Sequence, residues 1–155
     1  YETLKEVVYI DITTGDSLTP REISYCFPSL FNDEELSIQA YNIETVLAEK
    51  IETVISRAEA STRPRDRYDI FNLYQLRQNE LDMVVLKKAI QNTFQTRENT
   101  ENLMNWRASI KKLKESEYQK DLWRRYQQAF RYAHGLSFEE PIETIEMILD
   151  QLFHD

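Results

Sequence analysis

The sequence predicts an α+β fold, mainly α, with short strands at the N-terminal end and a helical bundle after them. Three observations carry this. Stretches of alternating β-branched and aromatic residues occur before residue 41 and not after it. From Ile43 to Leu152 apolar residues recur at helical spacing. Only two glycines and four prolines punctuate 155 residues, which favours long helices over many tight turns.

Val7 to Thr13 reads as a first strand, with Val8, Ile10 and Ile12 on one side and Val7, Tyr9 and Asp11 on the other, ended by the polar turn Thr14-Gly15-Asp16-Ser17. Ile23, Tyr25 and Phe27 alternate up to Pro28 and give a second strand; Leu36, Ile38 and Ala40 give a third. Residues 1–41 are expected to be the remainder of a sheet, and residues 42–155 a helical domain packed into one compact unit with it.

The first helix is expected over 43–59. Pro64 stops its continuation, and a second runs from Asp66 to Arg77. Leu81 to Arg97 and about Asn102 to Lys114 give the third and fourth. Leu122, Trp123, Tyr126, Phe130 and Ala133 define a fifth, closed by Gly135. Ser137 and Glu140 stand at capping-box spacing with Pro141 in the first turn, launching a last helix with Ile142, Ile145, Leu149 and Leu152 inward. Trp106, Trp123, Tyr126 and Phe130 fall at core positions rather than forming a base-stacking platform.

The net charge of -8 argues against a generic nucleic-acid coat, because phosphate binding rests on Lys and Arg. Its distribution is uneven. Residues 1–56 carry 11 acids and 3 bases, residues 57–137 carry 16 bases and 10 acids, and residues 138–155 carry 6 acids and no base. The basic middle is either a local phosphate-binding surface or a set of solvated helix faces. No apolar run reaches membrane length, no secretory signal is visible, and the single Cys26 has no internal disulfide partner, so the expected location is the cytoplasm. Cys26 is far in sequence from His134 and His154, which argues against thiol catalysis, and two histidines with no clustered partners argue against zinc binding and a small helical phosphohydrolase. Neither a P-loop nor a dinucleotide fingerprint is present.

Charges on apolar helix faces are the anomaly that remains. Glu44 falls inside the stripe of Ile43, Leu47, Ile51, Val54, Ile55 and Ala58; Lys50 falls on its edge; Asp66 and Asp69 share a face with Ile70 and Leu73. Such charges are costly unless paired. Lys50 requires a carboxylate or a substrate phosphate. In a simple antiparallel helical hairpin Lys50 lies roughly 9–14 Å before the helix end, so Arg57 is better placed to meet Asp66, and Lys50 would snorkel or share a ligand. Asp11, borne on a strand, suits Mg²⁺, a hard ion preferring oxygen ligands; simple surface placement is the other reading.

Tyr41, Glu44, Ala48, Glu49 and Lys50, then Arg57, then Thr62, Arg63, Arg65, Asp66, Tyr68 and Asp69 resemble the Y-x-x-E-x-x-x-A-E-K … R … T-R-x-R-D-x-Y-D signature of the AbiEii/AbiGii-type nucleotidyltransferase toxins. Ile10-Asp11-Ile12, Gly15-Asp16 and Thr19-Pro20 are similar to the segment preceding it, so the resemblance covers roughly residues 7–77. It implies a Mg²⁺-dependent enzyme of a type IV-like toxin–antitoxin or abortive-infection system, using a nucleoside triphosphate, with tRNA as an acceptor and a cognate antitoxin as partner. It further implies catalytic roles for Lys50 and for Asp66 or Asp69, nucleotide binding by Lys50, Arg57, Arg63 and Arg65, and a metal-site role for Asp11. The family's Gly-rich segment and the acidic metal-binding motif after it are absent from this chain. The expectation is a C-terminal portion, inactive alone. The rival reading is a non-catalytic helical module that binds a protein partner. Under it, Lys50→Met would be neutral or stabilising.

Overall fold

The computed structural model describes residues 7, 9, 10, 12, 14–30, 32 and 34–154. Of the expected first strand, Val7, Tyr9, Ile10 and Ile12 are exposed and outside any strand, while Val8, Asp11 and Thr13 lie outside the described residues. The other two strands form as read. β1 (Ile23–Pro28) and β2 (Glu35–Ala40) pair antiparallel, with Ile23 opposite Ala40, Tyr25 opposite Ile38 and Phe27 opposite Leu36. This register puts the apolar residues of both strands on one face.

Seven helices follow among the described residues: α1 (Ile43–Arg57), α2 (Pro64–Arg77), α3 (Met83–Thr96), α4 (Thr100–Met104), α5 (Trp106–Glu115), α6 (Glu117–Ala129) and α7 (Glu139–Leu152). α1 is capped by Asn42, whose side-chain oxygen accepts from Thr45 N at 3.0 Å. It buries Leu47, Ile51, Val54 and Ile55 on one stripe. That stripe packs on α3, which presents Leu86, Ala89, Ile90 and Phe94. α2 packs on α1, α6 and α7, and α5 joins α7 and α1. Burial of each such Leu or Ile is worth about 1.5–3 kcal/mol relative to exposure.

Boundaries shift where side chains compete with the backbone. α3 begins after Asp82, not at Leu81, because the Asp82 carboxylate accepts from Val84 N (2.9 Å) and Val85 N (3.1 Å). The expected fourth helix is two pieces. The break falls at Asn105, whose Nδ2 donates to Glu101 O at 3.1 Å. The fifth helix stops at Ala129 rather than running on to Ala133. Gln127 Nε2 donates to Ala133 O (3.2 Å) and Leu136 O (2.7 Å), and Trp123 Nε1 donates to Leu136 O (3.1 Å). These bonds hold residues 131–136 against α6, with a 3₁₀ turn at Arg131–Ala133 and Gly135 at φ +85°. Trp106, Trp123 and Tyr126 are core as expected, but Phe130 is left 43% exposed.

Candidate functional site

The chain leaves α1 at Ala58, where φ is +40°. Residues 58–63 join α1 to α2 through a 3₁₀ turn at Ala58–Ala60. Gln119 on α6, fully buried, donates from Nε2 to Glu59 O (2.8 Å) and Ser61 O (2.7 Å), pinning the linker. α2 therefore starts alongside the middle of α1, and its first turn reaches Lys50. Lys50 Nζ contacts Asp66 Oδ1 at 3.3 Å and Asp69 Oδ2 at 2.8 Å. This corrects the expectation that Lys50 and Asp66 do not meet. No ion pair joins Arg57 to Asp66 among the described residues.

The two carboxylates differ. Asp69 also lies 3.7 Å from Arg65 Nε, one helical turn away. Asp66 Oδ2 is buried and takes no hydrogen bond. The trio opens on a cleft of about 700 Å³ lined also by Thr62, Arg63, Pro64, Arg65, Leu122, Arg125, Tyr126 and Phe130. Four cations thus face two carboxylates. The first turn of α2 adds the positive end of the helix dipole. Its N-cap residue, Arg63, supplies no side-chain cap. The cleft is built to attract an anion.

Arg63 also lines a second, smaller cleft, of about 480 Å³, with Arg57, Arg97, Glu52 and Asn99. Arg57 belongs there and does not line the Lys50 cleft. Its floor is a network that sequence reasoning missed. Buried Glu52 accepts from Arg97 Nη1 (2.6 Å), Asn99 Nδ2 (2.7 Å) and Ser56 Oγ (2.8 Å). Arg97 also approaches Asp16 (3.6 Å) and Glu49 (3.9 Å). Burial, then the nearby Asp16 carboxylate, push the Glu49 carboxyl above its ordinary range. No local pattern could have joined Glu52 to Arg97, 45 residues apart. Arg125 was missed for the same reason, since only the docking of α6 brings it to the cleft.

Other charges of the stripe are structural. Glu44 Oε1 accepts from Asp82 N at 3.0 Å and ties α1 to the start of α3. Tyr41 donates to Asp16 at 3.4 Å. Thr19 anchors its loop: its N–H donates to Thr45 Oγ1 (3.1 Å), its carbonyl accepts from Asn42 Nδ2 (2.7 Å), and its hydroxyl accepts from Asn92 Nδ2 (2.9 Å). Arg67 is 2% exposed, lies over Trp123 (5.4 Å) and Phe138 (5.2 Å), and its two terminal nitrogens have no hydrogen-bond acceptor. Burial pushes its pKa down to about 10.

Among the described residues no group of three or more His, Cys, Asp or Glu comes together that could hold a metal ion. Asp66 and Asp69 converge on an ammonium, not on an open site, and Asp11 lies outside the described residues. The described residues alone do not fit a magnesium centre. No helix among them is long and apolar enough to cross a membrane.

A family model described as "Nucleotidyl transferase AbiEii toxin, Type IV TA system" matches residues 2–150. No curated protein and no solved structure matches the chain.

Proposed function

The chain belongs to the AbiEii family of nucleotidyltransferase toxins of type IV toxin–antitoxin systems, and from that premise we propose that the Lys50 cleft is where a nucleoside triphosphate is held for transfer to an RNA acceptor, with tRNA the acceptor of choice. The observation that supports this most is Lys50 poised between Asp66 and Asp69 in a cleft rimmed by Arg63, Arg65 and Arg125. A triphosphate has several oxygens to satisfy at once. Guanidinium forks and an ammonium at the mouth of a helix offer it charge-assisted hydrogen bonds.

Nucleotidyl transfer gains most from positioned charge around the reacting phosphorus. In this reading Lys50 meets the phosphates, held in place by its two carboxylates. Arg63, at the N-cap of α2, and Arg65, in its first turn, steady the outer phosphates. Asp66 is the essential acid in preference to Asp69: Lys50 engages only its Oδ1 and its Oδ2 takes no hydrogen bond, whereas Asp69 Oδ2 is shared by Lys50 and Arg65. Arg57 contributes from the neighbouring cleft, through the shared Arg63. The divalent metal that accompanies a nucleoside triphosphate in such enzymes, Mg²⁺ in this proposal, supplies Lewis-acid charge when bound. Its ligands are not assembled by the described residues, and Asp11 stays a proposed contributor.

The test is to incubate the full-length protein with tRNA, Mg²⁺ and each radiolabelled nucleoside triphosphate in turn. Label should pass to the RNA with one or more nucleotides, Lys50→Ala should abolish it, and Asp66→Asn should cost more than Asp69→Asn. Absence of label with every nucleotide, or full activity in Lys50→Ala, would overturn the proposal. A non-catalytic module that binds an antitoxin or another protein would show the first of these results.

A further inference from the structure

The turn after α6 leaves two aromatic rings at the surface. Phe130 is 43% and Tyr132 is 53% exposed. They stack on each other at 5.4 Å between centroids and 29° between planes. Both are held from below. Phe130 packs on Tyr126 at 5.0 Å and Tyr132 on Tyr68 at 4.9 Å, while the Tyr126 and Tyr132 hydroxyls share a hydrogen bond of 3.1 Å. Large apolar rings exposed on a rigid base are the form in which proteins present stacking surfaces to unpaired bases.

Position and charge say which occupant fits. Phe130 and Arg125 line the Lys50 cleft, whereas Tyr132 does not. The aromatic surface thus starts inside the cleft, at Phe130, and continues outside its lining, at Tyr132. Arg125 lines the cleft beside Phe130 and Arg131 stands between the two rings in the chain; both are exposed, and no ion pair with a carboxylate engages either among the described residues. An apolar protein partner would leave these guanidinium groups desolvated without a counter-charge, whereas a phosphodiester strand supplies one beside each base.

We infer that Phe130 and Tyr132, flanked by Arg125 and Arg131, are the stacking platform for unpaired bases of a single-stranded RNA acceptor leading into the Lys50 cleft. This rests on the reading of that cleft as the place of nucleotide transfer. The platform excludes a duplex at this point, because paired bases keep their faces against each other. It selects for an unpaired end of little sequence preference, since every base has a π-face.

Binding of a short fluorescein-labelled single-stranded RNA is followed by anisotropy against the same sequence as a blunt duplex, with wild type, Tyr132→Leu, Phe130→Leu/Tyr132→Leu and Arg125→Gln/Arg131→Gln. Circular dichroism checks that each variant is folded; the arginine pair is at the surface and keeps the test open should an aromatic variant fail to fold. Single strand should bind more tightly than duplex, and the aromatic double variant should bind it roughly tenfold or more weakly. The arginine double variant should flatten the salt dependence by about two phosphate contacts. Tyr132→Leu should leave nucleoside triphosphate affinity unchanged. Equal binding of duplex, unaltered RNA affinity in the aromatic double variant, or an equal loss of nucleoside triphosphate affinity in Tyr132→Leu would overturn the inference. Absence of nucleotide transfer by the wild-type protein, with these RNA effects intact, would overturn the transfer reading instead.

Discussion

Lys50 holds together two carboxylates that would otherwise repel. The side chains of Asp66 and Asp69 are only 15% and 24% exposed, so removing the ammonium leaves both partly desolvated and uncompensated. Lys50→Met should therefore lower stability, by about 1–2 kcal/mol given the partial burial, rather than being neutral as the module reading expected. Adding Asp66→Asn and Asp69→Asn to it should recover most of the loss, measured by urea denaturation. Arg67 has the opposite signature. Its guanidinium is buried without a hydrogen-bond acceptor and is offset only by two aromatic faces. Arg67→Met keeps the stem packed and removes a desolvated charge, so its melting temperature should equal or exceed that of the wild type; a clear fall would show that the two ring contacts outweigh desolvation. The presence of misplaced charges was legible in the sequence; their partners were not. Glu44 and Lys50 stood out alike on one stripe. One proved to be a tie to α3 and the other the centre of the cleft, because their partners lie on different helices.

Among the elements, α7 shows the closest agreement between local sequence and structure. Ser137 N donates to Glu140 Oε2 at 2.7 Å and Glu140 N donates to Ser137 Oγ at 3.2 Å, the reciprocal pair that the spacing predicts. The Ser137 backbone and side-chain hydrogen bonds hold the Glu140 carboxyl below its ordinary pKa. A depressed acid stabilises the fold above its unfolded pKa, about 4.3 for Glu, and that contribution is lost as pH falls through the depressed folded value. Glu140→Ala should thus cost stability at neutral pH and progressively less in acid, while Ser137→Ala should cost about 1 kcal/mol at neutral pH, both read from thermal melts across pH. α6 behaves otherwise. Its apolar spacing continues to Ala133, but Gln127 and Trp123 capture carbonyls at 133 and 136 and end it at Ala129. Helical periodicity reports which residues want burial; it does not report which side chains will take over the backbone's acceptors.

Across the whole molecule stability is uneven. The β1–β2 pair is exposed along nearly its whole length, with Tyr25, Phe27, Leu36 and Ile38 each about half exposed. A two-stranded hairpin without a covered apolar face is marginal in water. Its amide protons should exchange far faster than those of α1, α3 and α7, where opening needs disruption of the common core; comparable protection in hydrogen-exchange mass spectrometry would mean that the apolar face is covered in solution. Ile51→Ala, at the centre of that core with no exposure, should cost about 2–5 kcal/mol. The sequence by itself determined the helical class, most helix positions, the inward stripes and the family signature, because these depend on periodicity and neighbours a few residues apart. Only the tertiary structure decided that Lys50 meets Asp66 and Asp69, that Arg57 belongs to a different cleft, and that Phe130 faces solvent. Each depends on contacts between segments far apart in the chain. The hold of Gln119 on the 58–61 linker, which sets where α2 begins along α1, is not written in any local pattern.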